Sequence, residues 1–164
     1  MKVLEIMKTH VIKAEADATL CDVVDMMDLY QISGLPVVDG EDRLLGVVTE
    51  YDVIEALLKP YAGESPSSSP EAFAALVAQL RGRVVGEAMS RPAIAVDESD
   101  SVVDAAQLML SRHVKRLPVT AGGRLVGILS RIDICQAILE GQLAAPAREA
   151  EEPPAGAKQE DTAP

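Results

Sequence analysis

Residues 34–59 read GLPVVDGEDRLLGVVTEYDVIEALLK, and residues 116–140 read RLPVTAGGRLVGILSRIDICQAILE. With one residue dropped in the turn, the two stretches match in pattern throughout. Leu35-Pro36-Val37 meets Leu117-Pro118-Val119, and Arg43-Leu44-Leu45-Gly46 meets Arg124-Leu125-Val126-Gly127. Thr49-x-x-Asp52 meets Ser130-x-x-Asp133. Each copy opens on a short apolar strand with proline near its start, where a missing N–H is tolerated. A turn follows, rich in Gly and Asp in the first copy and reading Ala121-Gly122-Gly123 in the second, which suits a tight hairpin. A second strand ends on the hydroxyl residue, and a helix over 50–58 or 131–139 begins there.

The duplication extends upstream. Val3-Leu4-x-Ile6-Met7 has its counterpart in Val85-Gly86-Glu87-Ala88-Met89, so the period is about 82 residues. Two copies at that period mean a duplicated small domain, not a solenoid. Val11-Ile12-Lys13-Ala14 and Ala93-Ile94-Ala95-Val96 are β-type runs. Thr19-x-x-Asp22 and Ser101-x-x-Asp104 read as capping boxes with Asp in place of Glu. Leu20, Val23, Val24, Met27 and Ile32 follow near helical spacing, as do Val102, Ala105, Ala106, Met109 and Leu110. The methionines read as core filler. Each copy is therefore β-α-β-β-α. The expected class is α/β of the α+β type, with two repeats packed about a pseudo-two-fold axis and helices over one sheet face.

The expected division is a first repeat over 1–60, a linker with a short helix over 61–83, a second repeat over 84–142 and a disordered acidic tail over 143–164. Gly63-Glu64-Ser65-Pro66 and the serines after it have linker composition. Glu71 to Arg81 is amphipathic, with Pro70 at its first position, Gly82 closing it, and a stripe of Phe73, Leu76, Val77 and Leu80. Its expected role is to pack on the second copy, with a dimer contact as the alternative.

The chain has 164 residues and a net charge of −11, which disfavours nucleic acid and anionic membrane. From Gly141 onward it carries five acids and two bases, hence −3, which leaves −8 for the rest. With three Tyr, one Phe and no Trp it lacks a base-stacking platform. It has no run of the ~20 apolar residues that a membrane helix needs. A glutamate at position 5 comes too early for a secretory signal. A soluble cytoplasmic protein is expected. Cys21 and Cys135 fall in apolar helical patterns and read as buried reduced thiols. His10 and His113 have no metal-ligand spacing, so no metal site is expected. No nucleophile with an adjacent base and no GxxxxGK[ST] loop is present, so no catalytic residues are assigned and the chain does not read as an enzyme.

Several motifs recur in register: V-x-x-x-M before the first strand, the helix cap, [G/R]-L-P-V, and G-h-h-[ST]-x-x-D, where h is apolar. Together, over about residues 1–142, they resemble the cystathionine-β-synthase (CBS) domain family, and the whole resembles a tandem pair, or Bateman module. The resemblance implies a regulatory module that binds adenosine-containing ligands in clefts between the repeats: AMP, ADP, ATP or S-adenosylmethionine. It implies no catalytic cofactor. It also implies a homodimer and an effector protein of unknown identity. The family's signature Asp holds ribose hydroxyls, and its Ser or Thr meets ribose or phosphate. Carried over, the first half-site is Thr49 and Asp52, with Thr9, His10 and Val11 where a base rests. The second is Ser130 and Asp133, with Arg91, Pro92 and Ala93.

The residues make chemical sense without the family. A hydroxyl at a helix N-terminus offers N–H groups and the positive end of a dipole, which favour phosphate. An Asp three residues on suits a vicinal diol. The same tetrapeptides are also capping boxes that stabilise each helix by ~1 kcal/mol, so both roles stand open. The copies are unequal. The second places Arg91, Lys115, Arg116 and Arg131 where the first has Thr9, Ser33, Gly34 and Glu50. In an acidic chain such a cluster points to phosphate binding at the second copy, with Arg116 offering a bidentate fork. The first copy then suits a neutral moiety or stays empty. The alternative function is a structural dimerisation or scaffold module with vestigial nucleotide sites.

Overall fold

The computed structural model describes residues 1–59 and 69–141. The expectations for a flexible linker at 63–68 and a disordered tail from 143 lie outside those residues. Each repeat builds a three-stranded sheet, in order β1-β2-β3 and β4-β5-β6. In the first, β1 (Ala14–Glu15) runs parallel to β2 (Gly34–Val38), which pairs antiparallel with β3 (Leu44–Thr49). In the second, β4 (Val96–Asp97), β5 (Arg116–Ala121) and β6 (Arg124–Ser130) repeat that plan. Helices α1 (Leu20–Tyr30) and α2 (Glu50–Leu58) belong to the first repeat; α5 (Val102–Ser111) and α6 (Arg131–Leu139) belong to the second. Between them lie α3 (Pro70–Gly82) and α4 (Val85–Ala88).

The expected fold class and the β-α-β-β-α plan are realised, and the packing adds an exchange. One apolar core gathers Leu20, Val23, Met27, Leu35, Val37 and Val48 with Val85 and Met89 of the second repeat. The other gathers Val102, Met109, Leu117, Val119 and Leu129 with Val3 of the first, and Ile6 and Met7 pack against it. Each repeat thus sends its leading segment into its neighbour. The backbone pins both ends. Val3 N donates to Asp100 O at 2.9 Å, and Val85 N donates to Ala18 O at 2.8 Å. Bridges Lys2 with Ser101 and Thr19 with Val84 are counterparts, and so are Lys8 with Ile128 and Ser90 with Val47. Arg43 with Arg124 maps onto itself and marks the pseudo-two-fold axis.

This exchange explains a shift in the first strand of each repeat. The runs at 11–14 and 93–96 were expected as strands, but pairing begins only at Ala14 and Val96. The residues before them span from one core to the other: Met7 packs on the second core and Ile12 on the first. A crossing leg cannot pair along one sheet while it changes sheets.

Three further expectations are corrected. The α3 stripe packs on the first repeat, not the second: the helix lies against α1 and α2, and Leu80 joins the first core. Arg83, just beyond it, donates to the α2 carbonyl of Ala56. Cys135 is exposed, and Cys21 is only half-buried, in a groove it lines with Val77 and Leu80 of α3; both are free thiols. Thr19 closes its capping box with Asp22, but Ser101 caps by accepting from Val103 N at 3.1 Å instead of closing a box with Asp104. No helix among the described residues is long and apolar enough to cross a membrane.

Candidate functional site

The signature tetrapeptides fold as the local chemistry requires. Thr49 and Ser130 sit at the N-caps of α2 and α6 in extended backbone. Thr49 N and Oγ1 both donate to Asp52 Oδ2, at 2.8 and 2.6 Å. Ser130 N donates to Asp133 Oδ2 at 2.8 Å, and Ser130 Oγ donates to the same oxygen. Asp52 and Asp133 are 7% and 5% exposed, the two buried charged side chains among the described residues. The capping role is therefore realised in both copies, and it uses only Oδ2.

The second carboxylate oxygen faces the other repeat. Ser90 Oγ donates to Asp52 Oδ1 at 2.9 Å. Lys8 Nζ pairs with Asp133 Oδ1 at 2.9 Å. Burial acts to raise the Asp133 carboxyl, but hydrogen bonds from Ser130 and Lys8 outweigh it and hold the pKa below the usual carboxylate value.

The crossing legs regroup the sequence-derived half-sites. Lys8 N and O bond reciprocally to Ile128 on β6, both at 2.9 Å, so the leg through Thr9, His10 and Val11 starts beside Asp133. Ser90 bonds reciprocally to Val47 on β3, at 2.9 and 3.2 Å, so Arg91, Pro92 and Ala93 start beside Asp52. Each signature is therefore accompanied by the leg expected for the other. The reason is the exchange of leading segments, which places every leg on its neighbour's sheet.

Glycine makes the close approach possible. A Cβ at Gly127 would stand 2.7 Å from Met7 Sδ and 3.0 Å from Lys8 O; one at Gly46 would stand 2.6 Å from Ser90 O. The glycine opening each G-h-h-[ST] run is thus a seat for the incoming leg.

Three of the four cations share one groove, and the fourth, Arg91, lies apart from them. Arg116 pairs with Ser130 in the β5–β6 register, beside the signature hydroxyl. Lys115, Arg116 and Arg131 line a groove of about 1080 Å³, opposite Ser33, Glu50 and Asp28 of the first repeat, with Ile54, Leu57 and Leu80 along its apolar wall. Arg131 is anchored, because Nε donates to Val114 O at 3.0 Å and Nη2 to Met109 O at 3.2 Å. Arg91 belongs to the Asp52 side and donates to Gly86 O at 3.2 Å. Around Asp133 the structure brings together Ser130 and Lys8, with Thr9 and His10 next along the leg, while Arg116 is tied to Ser130 by strand register and its side chain lines the groove. Lys8 and Ser90 were missed by the sequence reading. Their signal was present: each directly follows the Met of V-x-x-x-M, one period apart.

Among the described residues no group of three or more His, Cys, Asp or Glu is placed to hold a metal ion.

Comparison with known proteins gives the chain its family and its fold relatives. The family model described as CBS domain matches residues 3–59 and 85–140. The CBS domain-containing protein CBSX2, chloroplastic, of Arabidopsis thaliana is 31% identical over 144 residues, covering 80% of this chain and 59% of the relative. The chain thus spans about three-fifths of that protein's length. A crystal structure of CBSX2 in complex with AMP superposes with a TM-score of 0.67 at 29% identity, covering 87% of this chain and 98% of the other. Hypoxic Response Protein I, solved with two coordinated zinc ions, gives 0.62 at 26% identity, covering 83% and 98%.

Proposed function

Because the chain belongs to the CBS domain family, we propose that it is a regulatory module that binds adenosine-containing nucleotides in the clefts between its repeats. The observation that carries this reading is Asp133: a carboxylate 5% exposed, at the N-terminus of α6, beside Ser130 and Arg116 and facing the leg of the other repeat. Asp133 accepts the ribose hydroxyls. The α6 N-terminus and Ser130 favour the phosphate, and Arg116 adds a bidentate fork. Thr9, His10 and Val11 provide the backbone against which the base lies. Asp52 and Thr49 form the weaker counterpart with Pro92 and Ala93. The AMP complex of the 29%-identical CBSX2 supports the ligand class. A homodimer is part of the proposal, supported by the apolar residues left exposed on α2 and α6: Tyr51, Ile54, Ile132, Ile138 and Leu139. Nucleotide binding then alters the dimer or its contact with an effector protein.

Calorimetric titration with AMP and ATP should show one dominant site. Asp133→Ala or Arg116→Ala should weaken it by at least ~10-fold, the loss of one charge-assisted contact. Loss of binding in Asp52→Ala with retention in Asp133→Ala would overturn the assignment. Sedimentation of the same samples should give a dimer.

A second reading, a structural dimerisation module with vestigial sites, is favoured by one observation: both carboxylates are already satisfied by protein donors. On that reading nucleotide leaves thermal stability unchanged, whereas a bound nucleotide at about 100 times its Kd adds ~2.7 kcal/mol.

A further inference from the structure

The two clefts share one plan and differ at one gate. Both signature carboxylates commit Oδ2 to their own helix cap and turn Oδ1 toward the crossing leg. There Asp52 receives the neutral hydroxyl of Ser90. Asp133 receives the ammonium of Lys8. Lys8 and Ser90 occupy the same position of the repeat.

A ribose hydroxyl approaching either carboxylate competes for Oδ1 with the group already there. Displacing Ser90 returns a hydroxyl to water, at little cost. Displacing Lys8 parts an ion pair whose acid is 5% exposed, and removing the partner of a buried charge is costly. A ligand that brings its own anion offsets this cost, because Nζ then passes from the carboxylate to the ligand. Lys8 is built for such a transfer. Its backbone is pinned to Ile128, while its side chain is 63% exposed on a flexible four-carbon stem. Lys8 Nζ and Ser130 hold the two oxygens of one carboxylate, so the anion-favouring end of α6 lies within that stem's sweep.

We propose that Lys8 is a specificity-determining residue that makes the Asp133 cleft demand a phosphate-bearing nucleoside, while Ser90 leaves the Asp52 cleft open to the uncharged nucleoside. The inference rests on the nucleotide-binding reading above and assigns a ligand form to each cleft.

The test is calorimetry with adenosine and AMP on the full chain. In an Asp52→Ala background the remaining cleft should prefer AMP strongly. Adding Lys8→Ser, which installs the residue its twin carries, should tighten adenosine, weaken AMP and narrow the AMP-to-adenosine ratio by ~10-fold or more, the worth of one charge-assisted contact. In an Asp133→Ala background adenosine and AMP should bind within a few-fold of one another, and Ser90→Lys should open a preference for AMP. A ratio unchanged by Lys8→Ser, or an equal loss of both ligands, overturns the inference and leaves the nucleotide reading standing. Failure of adenosine to bind in Asp133→Ala overturns the Ser90 half. Failure of the parent protein to bind AMP overturns both readings together.

Discussion

Asp133 serves as helix cap, as partner to the opposite repeat and, on the proposed reading, as ribose acceptor. The first two roles make it a pH-dependent stabiliser. Its folded pKa lies below the ordinary value, so the ionised form is the one the fold prefers. Its contribution is complete above the unfolded carboxylate pKa of ~4 and fades as pH falls through the lower folded value. Asp133→Asn should therefore cost about 1–2 kcal/mol at pH 7 in urea titrations, and the gap to the parent should close below pH ~4. A gap that stays constant down to pH ~3 removes the charge from the account. At this scale the sequence was half legible. Thr49, Asp52, Ser130 and Asp133 were readable because a cap is a contact over three residues. Ser90 and Lys8 were marked only by their matched position in the repeat, because they meet their carboxylates across the molecule: Ser90 stands 38 residues from Asp52, and Lys8 comes from the opposite end of the chain.

Elements were legible where periodicity alone decides them. The bounds 50–58 and 131–139 follow from the caps and the apolar spacing. Periodicity does not say what an apolar stripe covers, and α3 accordingly found α1 and α2 instead of the second repeat. Nor does it reveal a leg that leaves one sheet for another, which is why β1 and β4 hold only two residues each. The contact that secures each leg is steric. Gly127 leaves room for Met7 and for the Lys8 carbonyl, where a methyl group would stand 2.7 and 3.0 Å away. Gly127→Ala should destabilise the protein by about 1–3 kcal/mol in chemical denaturation, the usual cost of overpacking. It should also loosen the Lys8 and Ile128 amides, read as faster hydrogen exchange at those two positions. Unchanged exchange there would mean that the leg yields without losing its sheet.

On the scale of the molecule, the duplication predicted two like units, and the structure has two like units with interchanged parts. Val3, fully buried, belongs by sequence to one repeat and by packing to the other; Val85 is its mirror. Neither half owns a complete interior. Each holds a hook of its neighbour, and hooks fastened in both directions should survive the loss of the peptide that connects the repeats. Scission at a protease site engineered within 61–68 should leave two fragments that co-elute on size exclusion and melt in one transition, because each interior contains the hook of the other fragment. Separation on scission alone would mean that the tether, through the high local concentration it imposes, was holding an otherwise weak pair.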